Sequence, residues 1–279
     1  MDFVLSLMVG LLLVTLVAVL IIHPYTIIRD LINYFFKDYI NRYLLLRQLK
    51  PRYKKILLDY CLYYHQLDEP DQKTFRRRVQ KFISMKEFVP RGDLQKVTDE
   101  MKVLIASSAI QLTFGHPGIY FEHFWKILVY PDTYYSNIAQ RYHHGEVNTK
   151  GYIILSWVNF MEGYINRTDG VNLGLHEMAH ALRLENAIRN TEYDFLDFEV
   201  LKSFDIEAKK EIGNIRMGDT EFFRDYAGTN EHEFFAVVVE NFFERPALFK
   251  EKKPYLYKLT SRLLNQNPLN GRGFGEMGG

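Results

Sequence analysis

Residues His176-Glu177-Met178-Ala179-His180 constrain this chain more than any other stretch. Two imidazoles four positions apart reach one point when the backbone between them is helical, because i and i+4 share a face one turn apart. In a strand the same two positions stand about 13 Å apart. Val171, Leu173, Leu175, Met178, Ala179 and Leu182 surround the pair. A helix is therefore expected over residues 169–185, running through a core rather than along a surface. In the pattern H-E-x-x-H both histidines bind one metal ion and the glutamate reaches its water. The ion expected from such donors is zinc, one per chain, with Glu177 as the general base.

A catalytic zinc takes a third protein ligand and keeps one position open. No third histidine stands at short range; Asn186 occupies the position six residues after His180. The best source is residues 226–236, which open a helix to about residue 243, with Thr229 or Asn230 as its cap. Glu231, His232, Glu233 and Glu240 are all possible ligands there. Glu233 and Glu240 lie seven apart and share a face with Val237. A carboxylate on an apolar face is costly unless paired or bound to metal. Glu233 also suits a capping carboxylate, so spacing alone leaves the choice open.

The chain has 279 residues, 47% hydrophobic and 25% charged, enough apolar material for a real core. A net charge of +1 argues against a nucleic-acid partner, which calls for a strongly basic surface. The single cysteine, Cys61, rules out an internal disulfide framework and a cysteine-rich zinc site.

Residues 3–22 are twenty residues without a charge, about the length that crosses a 30 Å hydrocarbon core. No basic n-region precedes them and no small-residue cleavage pattern follows, so an uncleaved membrane anchor is expected. Basic residues from Arg29 to Lys55 lie on the C-terminal side, predicting an outside N-terminus and a cytoplasmic catalytic domain. Residues 27–46 are amphipathic, suiting either a helix on an anionic membrane surface or a stalk packed on the domain.

Helices are expected over residues 53–64 and 72–85. Another begins at the Thr98 cap and is stopped by Gly115-His116-Pro117-Gly118. Residues 126–130 and 152–157 read as strands, with a loop or hairpin around His143-His144-Gly145 between them. Arg76-Arg77-Arg78 reads as a solvated helix face. His143-His144 reads as a surface pair, and His116 and His123 as structural residues. The domains expected are an anchor (1–24), a juxtamembrane helix or stalk (25–50), a metallopeptidase domain (51–268) and a flexible tail (269–279).

Several separated landmarks, in one order, resemble the zinc-dependent peptidase family of Mlc titration factor A, which shares its catalytic core with the protease domain of anthrax lethal factor. They are Thr98-Asp99-Glu100-Met101, Leu128-Val129-Tyr130-Pro131, Leu155-Ser156-Trp157, the H-E-x-x-H helix, and Tyr226 through Glu244-Arg245-Pro246. The resemblance implies that His176, His180 and Glu233 are the zinc ligands, Glu177 the general base and Tyr226 the hydroxyl that stabilises the oxyanion. Where the family commonly has Asp three residues after the second histidine, this chain has Arg183. That removes a carboxylate able to orient a ligand imidazole, a role open to Glu185 or an acid among residues 194–199. If residues 152–157 form an edge strand, Leu155, Ser156 and Trp157 would bind a substrate peptide as an added strand.

The expected fold is α+β, a mainly helical zincin-type metallopeptidase core with a small sheet, plus one N-terminal transmembrane helix. The expected function is a membrane-anchored peptidase acting on peptide or protein substrates, with a possible regulatory protein partner and the lipid bilayer contacted through residues 3–22. The alternative is a membrane-tethered regulatory binding protein with a structural or latent zinc site.

Overall fold

Local chemistry sets most helix starts in the computed structural model, which describes Ile28 and residues 50–136, 141–188, 195–270 and 272–273. Pro51 opens α1 (Pro51–Tyr60), and an extended backbone at Cys61 separates it from α2 (Leu62–Gln66). The single helix expected over residues 53–64 is thus broken. Asp68 caps α3 (Glu69–Met85) by accepting from the Asp71 N–H, and Thr98 caps α4 (Asp99–Leu112) through the Met101 N–H. Each cap satisfies one of the orphan donors of a first helical turn.

Arg78 is buried, not solvated. It donates to the carbonyls of Phe114, His116 and Ile119 and to the Thr113 hydroxyl. The turn that ends α4 is pinned to α3 by this one guanidinium. His116 and His123 are structural, as expected: their Nε2 atoms meet the Leu263 and Thr149 carbonyls.

The strands are β1 (Glu87–Pro90), β2 (Lys126–Tyr130), the hairpin β3 (Tyr134–Ser136) and β4 (Arg141–His143), then β5 (Gly145–Asn148) and β6 (Tyr152–Ser156). The main sheet has the order β1-β2-β6-β5. Its first three strands are parallel, and β5 is antiparallel to β6. Ile127, Val129, Ile153 and Leu155 are fully buried, the near-continuous apolar pattern of covered parallel strands. The strand β6 is therefore interior, flanked by β2 and β5, and the edges are β1 and β5.

The remaining helices are α5 (Trp157–Ile165), α6 (Leu173–Ile188), α7 (Phe198–Arg216), a 3-10 turn at Asp225–Gly228, α8 (Glu231–Glu244), α9 (Pro246–Lys252) and α10 (Pro254–Leu264). A short pair, β7 (Gln266–Asn267) and β8 (Arg272–Gly273), follows. The helix α6 packs on α8, α4 and the β5–β6 hairpin. The architecture is mainly helical α+β with a small mixed sheet.

Among the described residues no helix is long and apolar enough to cross a membrane. This overturns the expectation of a single-pass membrane protein with an outside N-terminus, a cytoplasmic domain and a bilayer contact. The run at residues 3–22 on which it rested, and all but Ile28 of the amphipathic stretch at 27–46, lie outside the described residues.

Candidate metal centre

Three side chains from two helices converge on one point. His176 and His180 stand one turn apart on α6, and Glu233 projects from the first turn of α8. The Nε2 atoms of the two histidines are 3.1 Å apart. Glu233 Oε2 lies 3.0 Å from His176 Nε2 and 3.3 Å from His180 Nε2. A tetrahedron with zinc–nitrogen and zinc–oxygen bonds of about 2.0–2.1 Å has edges of about 3.3–3.4 Å. The donor set and its spacing fit a zinc ion, with a fourth corner left for water or substrate. Among the described residues this is the one group of three or more His, Cys, Asp or Glu able to hold a metal.

Helix starts place these donors. The Asn172 side chain accepts from the Leu175 N–H at 3.0 Å, which fixes the first turn of α6. Asn230 accepts from the N–H groups of His232 and Glu233, so Asn230, not Glu233, is the cap. Glu233 is free of that task and faces the histidines. Of the other candidates, Glu231 pairs with Lys209 at 3.6 Å, and His232 is exposed at the mouth of the cleft.

Glu240 takes a role that spacing did not reveal. It is fully buried, two turns beyond Glu233 on α8, and its Oε1 meets His176 Nδ1. A carboxylate only accepts, so Nδ1 carries a hydrogen, and Nε2 is the nitrogen that would give its lone pair to a metal once the proton it shares with Glu233 is released. Arg224 clamps the same carboxylate with contacts of 2.7 and 3.0 Å and donates to the Gly170 carbonyl. Burial works against the charged form of His176, but its hydrogen bonds to Glu233 and Glu240 outweigh this and raise its pKa to about 10. Burial likewise opposes charge on Glu233, yet the two histidines hold its carboxyl well below the usual range.

The orienting acid sought near Arg183 is thus on another helix. Arg183 pairs with Asp205 of α7 at 2.8 Å and lies over the Phe235 ring. Glu185 accepts from the His123 N–H, and Asp197 caps α7.

Glu177 is buried beside the cluster, and its Oε2 has no hydrogen-bond partner among the described residues. An unpartnered buried carboxylate oxygen is uncommon and calls for a reason. Burial pushes its pKa up, although His176 and His180 pull it down. Gly145, at the start of β5, presses on this carboxylate: a Cβ there would collide with the Glu177 side chain. Glycine in a strand often marks such a close approach.

Tyr226 is 46% exposed, with its ring centroid 6.0 Å from that of His176. The cleft opens as two cavities, of about 520 and 420 Å³, that share Gly145, His176, Glu177 and Tyr226. The expected substrate residues do not line it. Leu155 and Ser156 are fully buried in the interior strand, and Ser156 caps α5. Trp157 stacks on Phe160. The edge facing the cleft is β5, through Gly145, Glu146 and Val147. Gly145 and Arg224 are the functional candidates that the sequence alone did not supply, whereas Glu240, named there as a possible ligand, holds the far nitrogen of His176 instead. A glycine in a strand was the available signal for Gly145; Arg224 had none.

A model of the family described as glucose-regulated metallo-peptidase M90 matches residues 37–264. An uncharacterised protein of Synechocystis, slr2042, is 26% identical over 250 residues, covering 83% of this chain and 90% of its own length. Mlc titration factor A of Escherichia fergusonii is 27% identical over 227 residues, covering 74% of this chain and 83% of its own. Its Cronobacter sakazakii counterpart is 27% identical over 225 residues, 73% and 82% of the two chains.

Proposed function

Because the chain belongs to the glucose-regulated metallo-peptidase M90 family, we propose that it is a zinc-dependent peptidase of zincin type. The observation that carries the reading is a donor triangle of tetrahedral spacing beside a buried carboxylate with one oxygen unpartnered. His176, His180 and Glu233 would hold the ion. Zinc there would supply Lewis-acid polarisation of the attacking water and the scissile carbonyl.

The protein's own groups divide the remaining work. Glu177 Oε2 takes a proton from the attacking water as the new C–O bond forms. It returns that proton to the departing amine as the C–N bond breaks. Its burial favours the protonated form that this shuttle passes through. The Tyr226 hydroxyl donates to the oxyanion. Glu240 and Arg224 hold the His176 ring in place. Gly145 and Val147 form non-hydrogen-bonded pairs with β6, since the neighbouring His144 carbonyl accepts from the Ser156 N–H. By antiparallel alternation their backbone groups turn to the open edge, where a substrate backbone can pair.

The test is Glu177→Gln. It should keep about one zinc per chain and lose peptide cleavage by at least about a thousandfold, the scale expected of a lost general base. The name titration factor, carried by two relatives, favours a second reading, a regulatory interaction with another protein. On that reading a function assayed by partner binding survives Glu177→Gln, and no chelator-sensitive cleavage is found in the wild type.

A further inference from the structure

The 420 Å³ cavity has a chemistry of its own, distinct from the donor cluster it adjoins. His144, Asn159, Glu162, Val171 and Leu173 line it. Val171 is 49% exposed and Leu173 partly buried, giving an apolar wall beside the cluster. Glu162 stands on the exposed face of α5, one turn beyond Asn159.

A short relay fixes its carboxylate. The Ser156 hydroxyl donates to Asn159 Oδ1 at 2.7 Å, which sets the direction of the amide. Asn159 Nδ2 then donates to Glu162 Oε2 at 3.3 Å. Among the described residues no cation pairs with Glu162. Arg224 lines the same cavity, but its charge is met by the bidentate contact with Glu240. The cavity therefore offers an apolar wall and an uncompensated carboxylate.

Chain direction decides which substrate residue enters. A peptide pairing antiparallel with β5 has its amino end beside Asn148 and its carboxyl end beside Gly145. The cavity beyond Gly145 and His144 then lies on the carboxyl side of the donor cluster. We propose that it receives the side chain of the residue just after the scissile bond and selects lysine or arginine there through Glu162. The aliphatic stem covers Val171 and Leu173, and the charged head reaches the carboxylate. This rests on the peptidase reading above.

The experiment uses the full chain loaded with zinc and a blocked decapeptide library, with cut sites read by mass spectrometry. Cleavage before Lys or Arg should exceed cleavage before Asp or Glu by about two- to fivefold, the scale of one partly exposed ion pair. Glu162→Gln should erase that ratio and Glu162→Lys should reverse it. Zinc content and melting temperature verify that each variant is folded. A second readout needs no turnover: fluorescein-labelled decapeptides with Lys or Glu at the central position, titrated by anisotropy against zinc-loaded Glu177→Gln protein with and without Glu162→Gln. Tighter binding of the Lys peptide, lost with Glu162→Gln, supports the proposal. Chelator-sensitive cleavage with no basic preference, or with a preference that Glu162→Gln leaves intact, overturns it and spares the peptidase reading. Lys-peptide binding that depends on Glu162 without any wild-type cleavage keeps the cavity assignment and sinks the peptidase. Cleavage favouring Asp or Glu, or no discrimination in binding, overturns the proposal.

Discussion

His176 is gripped on both ring nitrogens by acids two helical turns apart on α8, Glu233 at Nε2 and Glu240 at Nδ1. The two contacts do different work. Glu233 and His180 meet at Nε2, the side that would face the proposed metal, whereas Glu240 holds a hydrogen on Nδ1 and so leaves Nε2 as the nitrogen that would bind it. Glu240→Gln keeps the shape but halves the carboxylate's accepting capacity and leaves Arg224 short of its counter-charge. Zinc affinity should fall about 10- to 100-fold, the usual cost of losing an orienting partner. Competition with a chelating dye measures this, and unchanged affinity would remove Glu240 from the site. The sequence made part of this legible. The i, i+4 histidines and the seven-residue spacing of Glu233 and Glu240 place each pair on one face of its helix. Nothing in either spacing tells which carboxylate meets which nitrogen, since that depends on how α6 and α8 cross.

Between elements, the end of α8 is tied to the start of α6 by Glu244. Its oxygens accept from the Gly170 N–H and the Asn172 amide at 3.0 Å. Gly170 sits at φ +77°, a left-handed conformation that glycine adopts at little cost. Burial, more than the nearby Asp169 and Glu240, pushes the Glu244 pKa up to about 7. The folded state thus keeps this proton longer than the unfolded chain does. The contribution of Glu244 to stability falls as pH rises from about 4.5 to 7 and is level above that. Glu244→Gln should gain on the wild type across that window by roughly 1–3 kcal/mol. Urea melts of both proteins at a series of pH values test it, and a pH-independent difference would contradict it.

Element order shows where local patterns stop. The strand at β6 was legible from its apolar run, but not its place in the sheet. Strand neighbours are set by long-range pairing, so β1 (Glu87–Pro90), four residues ending in proline, gave no clear signal, and the edge passed to β5. In the proposed peptidase the substrate pairing expected of Leu155 and Ser156 would fall to that strand instead.

For the molecule as a whole, the sequence conveyed a mainly helical α+β core, and the structure has that architecture with a small mixed sheet. The Thr98 cap is local chemistry and was read directly, and that of α8 was narrowed to Thr229 or Asn230, whereas Asp197, offered as an orienting acid, is a cap instead. The break at Cys61 and the Arg78 clamp are tertiary and could not. The central claim is that the triangle of His176, His180 and Glu233 is a zinc site. Elemental analysis of the purified chain, wild type beside Glu233→Ala, tests it most directly. The prediction is about one zinc per wild-type chain and a marked loss in a folded variant. Folded wild-type protein without zinc after incubation with the metal, or a variant that keeps full occupancy, would contradict it.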